Sequence, residues 1–373
     1  MIKKIIVFIL LLFLTGCYNY NELNDLAIVV AMGIDKVDSE YVISLEVVNT
    51  QKSSEEKNSK FTIYQAKGDT IEQAVKNISY VCPKKIYLSH LEVIIYGENI
   101  AKLGIKNSLD YLARNIEIRG DTIMLIAKNS RALDILETKT PIDAINARNI
   151  ASLIKTSHST LGKSVYITFD DVLSTFLNNN KEIIIPSITL ETSKSTKKTS
   201  LKIADTAIFK NDKLIGFLNS KDTLGYNILT NNINETIIKY QDKNNYIEAL
   251  INKINTKITV KDNLNINISI KASGNISETN ENINLENDKV IDSINKKIAK
   301  EIKKIVTNSL KAITTLNSDI IGLLDNYYKN NYHSYQKINH NWYQNMKKIK
   351  YHINVDVNLI NKGKTLKVIK DEK

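Results

Sequence analysis

The residues whose types and spacing most clearly specify a reaction are Leu14-Thr15-Gly16-Cys17. Small residues at the two positions before a cysteine let a lipoprotein signal peptidase reach the bond. The cysteine sulfur can then carry diacylglycerol through a thioether, with a further acyl chain on the new amino terminus. Lys3 and Lys4 stand ahead of an apolar run from Ile5 to Leu14. That run is about half of the ~20 residues a membrane-spanning helix needs, so it reads as a secretory h-region. Residues 1–16 are therefore expected to be a lipoprotein signal peptide, cleaved between Gly16 and Cys17. Two or more acyl chains on one residue make anchoring stable, which implies a cell membrane, lipid-anchored location on the extracytoplasmic face.

Other chemistry is sparse. The five histidines, His90, His158, His333, His340 and His352, form no metal-ligand spacing, and neither an HExxH nor a paired-cysteine motif occurs. Cys82 is the only other cysteine, so the mature chain has no disulfide partner once Cys17 is a thioether. It is most simply a small buried hydrophobe. Gly162-Lys163-Ser164 resembles the end of a phosphate loop, but the glycine required five residues earlier is Ser157. No G-x-S-x-G elbow is present, and the adjacent Asp170 and Asp171 suit helix-start positions. The expectation is no catalytic constellation, no metal and no cofactor.

Of the 51 basic residues only four are arginine: Arg114, Arg119, Arg131 and Arg148, all in the N-terminal half. Where lysine otherwise supplies positive charge, a retained guanidinium suggests a fixed, planar, multi-donor bond. Arg114 and Arg119 flank Glu117 and read as a structural hydrogen-bonding knot, with a ligand-binding role as the alternative. The net charge of +11 is spread along a Lys-, Asn- and Ile-rich chain. Export and the absence of clustered Arg with aromatics argue against nucleic acid.

The elements that must position these residues alternate between strand-like and helix-like patterns in the first half. Leu26 to Ile34 suits a buried strand and Tyr41 to Val48 its partner, across a polar turn at Lys36 to Glu40. Asp69 with Glu72 has capping-box spacing for a helix that Pro83 ends. Strands are expected at Leu91 to Tyr96 and Thr122 to Ala127, with helices around Ile105 to Asn115, after a Ser130 cap, and from Thr168 with Asp171 to Leu177. Thr192 to Ser200 contains no apolar residue and reads as a linker or exposed loop.

Beyond it, Ala207 to Phe209 and Leu214 to Leu218 flank a hairpin turn. Ile247 to Val260 and Leu264 to Ile270 alternate with period two, as in a meander. After Asn287, Ile291, Ile294, Ile298, Ile302, Ile305, Leu310 and Ile313 mark a long amphipathic helix with Lys296, Lys297, Lys300, Lys303 and Lys304 outside. An aromatic segment with Tyr327, Tyr328, Tyr332, Tyr335, Trp342 and Tyr343 suits an interface as readily as a core. A last strand, Ile353 to Ile360, closes on Gly363. The fold class is α+β, multidomain, with mixed sheets, packed helices and a C-terminal antiparallel meander on the long helix.

Cys17 to Asp35 reads CYNYNELNDLAIVVAMGID. After a lipobox, this resembles the start of the Ger(x)C family, the lipoprotein C subunits of spore germinant receptors. Lys67-Gly68-Asp69-Thr70-Ile71, Tyr87-Leu88-Ser89-His90 and Arg114-Asn115-Ile116-Glu117-Ile118-Arg119 are similar to family motifs in the same order. Ala207-Ile208-Phe209-Lys210 with Leu214-Ile215-Gly216 is similar to the opening of the family's C-terminal region, and Trp342 with the terminal strand fits its close. Tyr18 departs from the family's more frequent Trp, and Gly322 lacks a second glycine nearby.

The resemblance implies an N-terminal α/β region at 17–195 and a C-terminal α+β domain at 201–370. It also implies a non-enzymatic subunit on the outer face of the spore inner membrane, partnered by receptor A and B subunits, with His90, Arg114, Glu117 and Arg119 as folding or interface residues. The alternative is a solute-binding lipoprotein of a transporter, which would show two similar α/β lobes.

Overall fold

The computed structural model describes residues 23–49, 60–138, 145–195, 197–262, 264–281, 283–285 and 287–360; the expected signal peptide, Cys17 and Gly363 lie outside them. Strands β1 (Leu26–Val37), β2 (Glu40–Val48) and β3 (Phe61–Gly68) are followed by helix α1 (Ile71–Asn77), β4 (Lys85–Tyr87) and β5 (Val93–Gly97). Helices α2 (Glu98–Leu103) and α3 (Lys106–Arg114) lead to β6 (Ile123–Ala127). Then come α4 (Ala132–Leu136), α5 (Asn146–Leu161), α6 (Phe169–Leu177), β7 (Ile184–Thr192), β8 (Thr199–Lys210) and β9 (Lys213–Leu218).

These strands make one nine-stranded sheet in the order β3-β2-β1-β5-β6-β7-β8-β9, with β4 also paired to β1. β1, β4, β5, β6 and β7 run parallel, whereas β2, β3, β8 and β9 are joined by antiparallel pairing. Crossover helices cover both faces. Residues of α1, α2, α3 and α6 pack on one, and residues of α4 and α5 on the other. A strand covered on both sides cannot alternate, and accordingly every residue of β5 and β6 is buried.

The second half is built differently. Helix α7 (Ser220–Leu229) precedes β10 (Thr236–Asp242), β11 (Asn245–Val260) and β12 (Asn265–Thr279). Helix α8 (Asp288–Leu316), the shorter α9 (Leu323–Asn330), α10 (Tyr332–Ile338) and α11 (Trp342–Met346), and β13 (Lys350–Leu359) complete the chain. The four strands form one sheet in sequence order. One face of it, with Ile247, Ile251, Ile266, Ile268 and Ile270, packs against Ile294, Ile298, Ile302, Val306 and Leu310 of α8. The basic residues of α8 stay outside that contact, as its stripe predicts.

Several expectations change in detail. The terminal strand, for which no pairing was expected, joins the meander in parallel with β12; the α8–α11 crossover returns the chain to the end where β12 begins, and parallel strands need such a connection. Thr192 pairs with Thr199 at the end of the β7–β8 ladder, so the exposed-loop alternative holds and the nine-stranded sheet runs on through β9. Helix α1 is capped one residue later than Asp69: Thr70 Oγ1 accepts from Gln73 N, and Gln73 Oε1 from Asp69 N. The cap before α4 is Arg131 rather than Ser130. The Thr168–Asp171 capping box forms as expected.

Helix α7 joins the halves. Thr223 to Leu229 are all buried. Tyr226 packs with Ile208, Leu218 and Ile313, while Leu224, Ile228 and Leu229 enter the core under the four-stranded sheet. Gly225 lets α8 approach, since a Cβ there would sit 2.5 Å from Ser309 Cβ and 2.9 Å from the Ile305 carbonyl oxygen.

Candidate functional site

The parallel strands all begin at one end of the nine-stranded sheet, and most of the residues singled out from the sequence lie in the loops before them. Lys85 pairs with Leu26, Val93 with Ala31 and Ile123 with Val93. The segments 88–92 and 115–122 therefore meet at this end. A cleft of about 560 Å³ opens between them, with Ile28, Val30, Leu91 and Ile123 at its apolar base and His90, Glu92, Arg119, Asp121 and Arg148 around it. The Arg148 Nε lies 3.5 Å from Glu92 Oε1. The Arg119 guanidinium holds Asp121 through two bonds, Nε to Oδ1 at 2.9 Å and Nη2 to Oδ2 at 2.7 Å. That bidentate fork keeps the Asp121 carboxyl below its usual range. His90 lies edge-on to Tyr87 with ring centroids 5.8 Å apart.

The expected knot of Arg114, Glu117 and Arg119 is not formed. Arg114 is the last residue of α3 and donates from Nε to Asp110 Oδ2 at 2.9 Å, its partner one turn back. Arg119 is occupied by Asp121, two residues on. Glu117 instead accepts from the Leu88 amide at 2.9 Å, tying the loop before β6 to the end of β4. Glu117 is equally near in sequence, but its carboxylate is taken by the Leu88 amide, and each exposed guanidinium pairs with the neighbouring aspartate instead. Arg114 faces a neighbouring cleft of about 800 Å³ with Asp110, Tyr111 and Ile116.

Three buried carboxylates that the patterns did not single out carry more of the structure. Asp35 accepts from the Ala132 and Leu133 amides at the start of α4, and Glu46 from the Ala147 amide at the start of α5. Asp319 accepts from the Gly322, Leu323 and Leu324 amides at the start of α9. Helix N-termini favour anions, but burial dominates, raising the Asp35 carboxyl, Glu46 to about 7 and Asp319 to about 6. An acid inside an apolar strand, as Glu46 is between Leu45 and Val47, was the available signal.

Asp319 belongs to a second polar cluster, between the halves. Its carbonyl accepts from Glu182 N, Ser318 Oγ donates to the Phe209 carbonyl, and Glu182 takes the Asn211 amide and the Tyr343 hydroxyl. Lys210 Nζ stands 3.9 Å above the Tyr343 ring. The aromatic segment is divided: Tyr327 and Trp342 are buried edge to face, while Tyr328, Tyr332 and Tyr335 form a partly exposed triad.

Among the described residues no group of three or more His, Cys, Asp or Glu could hold a metal ion. No described helix is long and apolar enough to cross a membrane. Within the cleft, Arg119 pairs with Asp121 and Arg148 with Glu92.

A mixed nine-stranded sheet joined to a four-stranded sheet under a long helix defines the chain as a multidomain α+β protein. The same fold occurs in the crystal structure of the GerBC protein, with a TM-score of 0.60 at 17% identity over 88% of this chain and 97% of that one. Residues 19–190 match the spore germination protein N-terminal domain, and residues 204–363 the C-terminal domain described as spore germination B3/GerAC like.

The chain is similar to spore germination protein KC of Bacillus subtilis (strain 168), 28% identical over 263 residues, which cover 64% of this chain and 65% of that protein. It is also similar to spore germination protein GerQC of Bacillus cereus, 25% identical over 298 residues, covering 78% and 80%. The chain belongs to the Ger(x)C family of spore germination proteins.

Proposed function

We propose that this chain is the C subunit of a nutrient germinant receptor, held on the outer face of the spore inner membrane by lipid on Cys17. It acts without catalysis, in assembly of or signalling by a complex with A and B subunits. The observation that carries this is the succession of the two spore germination domains, at 19–190 and 204–363, behind a lipobox. The cleft fits such a role, because its arginines and carboxylates neutralise one another and present donors and acceptors for a partner rather than a reactive group. His90, Arg119 and Arg148 are proposed as interface residues there, with Arg114 beside them, and Glu117 as the fold residue that fixes the loop. A solute-binding lipoprotein would have two similar α/β lobes, and nine strands beside four are not that.

The test is Cys17→Ala in spores. The expected result is release of the protein from the membrane fraction and slowed nutrient-triggered germination. Normal germination with a fully released variant would contradict the need for anchoring.

A further inference from the structure

We propose that the strand-start end of the nine-stranded sheet rests on the lipid surface, with Tyr80, Val81 and Ile116 set into the headgroup layer. Single exposed apolar side chains are ordinary on proteins. Here, however, Ile116 is 99% exposed and Tyr80 is 89% exposed, more than any other large apolar side chain among the described residues, and Val81 beside Tyr80 is 57% exposed.

All three lie at the end of the nine-stranded sheet where its parallel strands start, on the β4–β6 side of it, while the C-terminal half contacts this end before β7. Tyr80 and Val81 follow α1 and precede β4, while Ile116 follows α3 and precedes β6. Both helices pack on the same face of the sheet. Their carboxy-terminal ends thus lead into β4, which starts beside Leu26 where the chain enters the fold, and into β6, which starts level with Ala31. Lys85 is the register partner of Leu26, and Lys84 precedes it. This end presents apolar tips with cationic side chains next to them, the pairing that an anionic lipid surface receives. Tyrosine is the aromatic expected at such a boundary, with an apolar body and a polar tip.

The tether makes this end the one that meets the bilayer. Six residue steps separate Cys17 from Leu23, at most about 22 Å when fully extended. The twelve residues of β1 run about 40 Å from this end of the sheet to the other. An acyl anchor on Cys17 therefore keeps the strand starts near the headgroups, while the β1–β2 turn at Asp38 and Ser39 can stand clear. The inference rests on lipidation of Cys17, and the two are separable by experiment.

Single cysteines are introduced at Tyr80→Cys, Ile116→Cys and, as the distant control, Ser39→Cys in the full-length protein. Cys82 is buried and a lipidated Cys17 has no free thiol, so a thiol-reactive environment-sensitive fluorophore reports the new position. The protein is reconstituted into vesicles of phosphatidylglycerol and phosphatidylethanolamine containing a headgroup-nitroxide lipid. The mass of the N-terminal peptide reads lipidation independently. With Cys17 lipidated, the expected result is a blue shift and loss of fluorescence at 80 and 116, with neither at 39.

Lipidated protein whose labels at 80 and 116 respond no more than that at 39 overturns the orientation and leaves the anchor standing. An unmodified Cys17 overturns both. Hydrogen exchange of the unlabelled protein gives a second readout, with slowed exchange at 78–84 and 113–119 on vesicles expected. Unchanged exchange there, with slowing elsewhere, contradicts the proposal.

Discussion

The two halves of the molecule bury their sheets in different ways. The N-terminal sheet is covered on both faces, so its central strands are continuous apolar runs such as Ile123 to Ala127. Two carboxylates buried in its strands, Asp35 and Glu46, are held by helix amides. The C-terminal sheet is covered on one face, chiefly by the long helix α8 with α7, α9 and α11 beside it, and its strands alternate: Ile266, Ile268 and Ile270 are inside, while Ser269 and Lys271 are exposed. The first design ties short elements together through buried polar contacts between segments distant in sequence, whereas the second relies on one broad apolar seam. Damage should therefore be graded by side-chain volume in the second half and by charge state in the first.

The largest effect is expected at that seam. Ile298 of α8 is wholly buried against the four-stranded sheet, and Ile298→Ala should cost about 4 kcal/mol, the range for a large-to-small core change. Denaturant unfolding followed at Trp342, the chain's one tryptophan, checks it, because Trp342 lies in the same core. A loss below about 1 kcal/mol would mean the seam is not the principal support.

Next comes the joint. Gly225→Leu drives a side chain into Ser309 and the Ile305 carbonyl and should cost about 3 kcal/mol. Calorimetry of the variant is expected to split one transition into two as α7 loses its hold on α8. A single unshifted transition would show that the halves are joined elsewhere.

The pH dependence sharpens the charge side of the comparison. Burial raises the Glu46 carboxyl from its ordinary 4.5 to about 7. The folded state then holds this proton more tightly than the unfolded state. The group's stabilising contribution is full below about pH 4.5 and is lost as pH rises to about 7, by roughly 3 kcal/mol. Glu46→Gln should flatten that slope in melting temperatures taken across the window, and an unchanged slope would assign it to other groups.

The smallest effects belong to the exposed arginines. Arg114→Ala and Arg119→Ala each remove a surface pair and should leave the melting temperature within error. Glu117→Ala, which strips the Leu88 amide of its partner, should lower stability by about 1 kcal/mol. A reversal of that order would restore the knot.

The same contrast governs what the sequence disclosed. Period-two alternation in β11 and β12 and the three- and four-residue steps of α8 were legible because each element has one buried side. Helix α7 was not, since Thr223 to Leu229 are buried all round and leave no stripe to read. Strand β3 lay behind a long polar segment that offered no turn signal. The parallel pairing of β13 depends on where the crossover returns the chain, which local pattern does not encode.

At the site, His90 and Arg119 did converge on one cleft, since each sits in a loop before a parallel strand. The partners of Arg114 and Arg119 were misjudged: they pair with Asp110 and Asp121, while Glu117 is taken by the Leu88 amide. Arg148 joined the cleft from α5, on the opposite face of the sheet, a proximity only the topology could supply.

The most direct test of the account is chemical crosslinking in dormant spores, with the crosslinked partners identified by mass spectrometry. A docking and signalling subunit should be recovered joined to the A and B subunits of a germinant receptor, through peptides from the cleft end or the aromatic segment. Recovery of crosslinks only to a solute transporter, or of the chain alone at efficiencies that capture other membrane complexes, would contradict it.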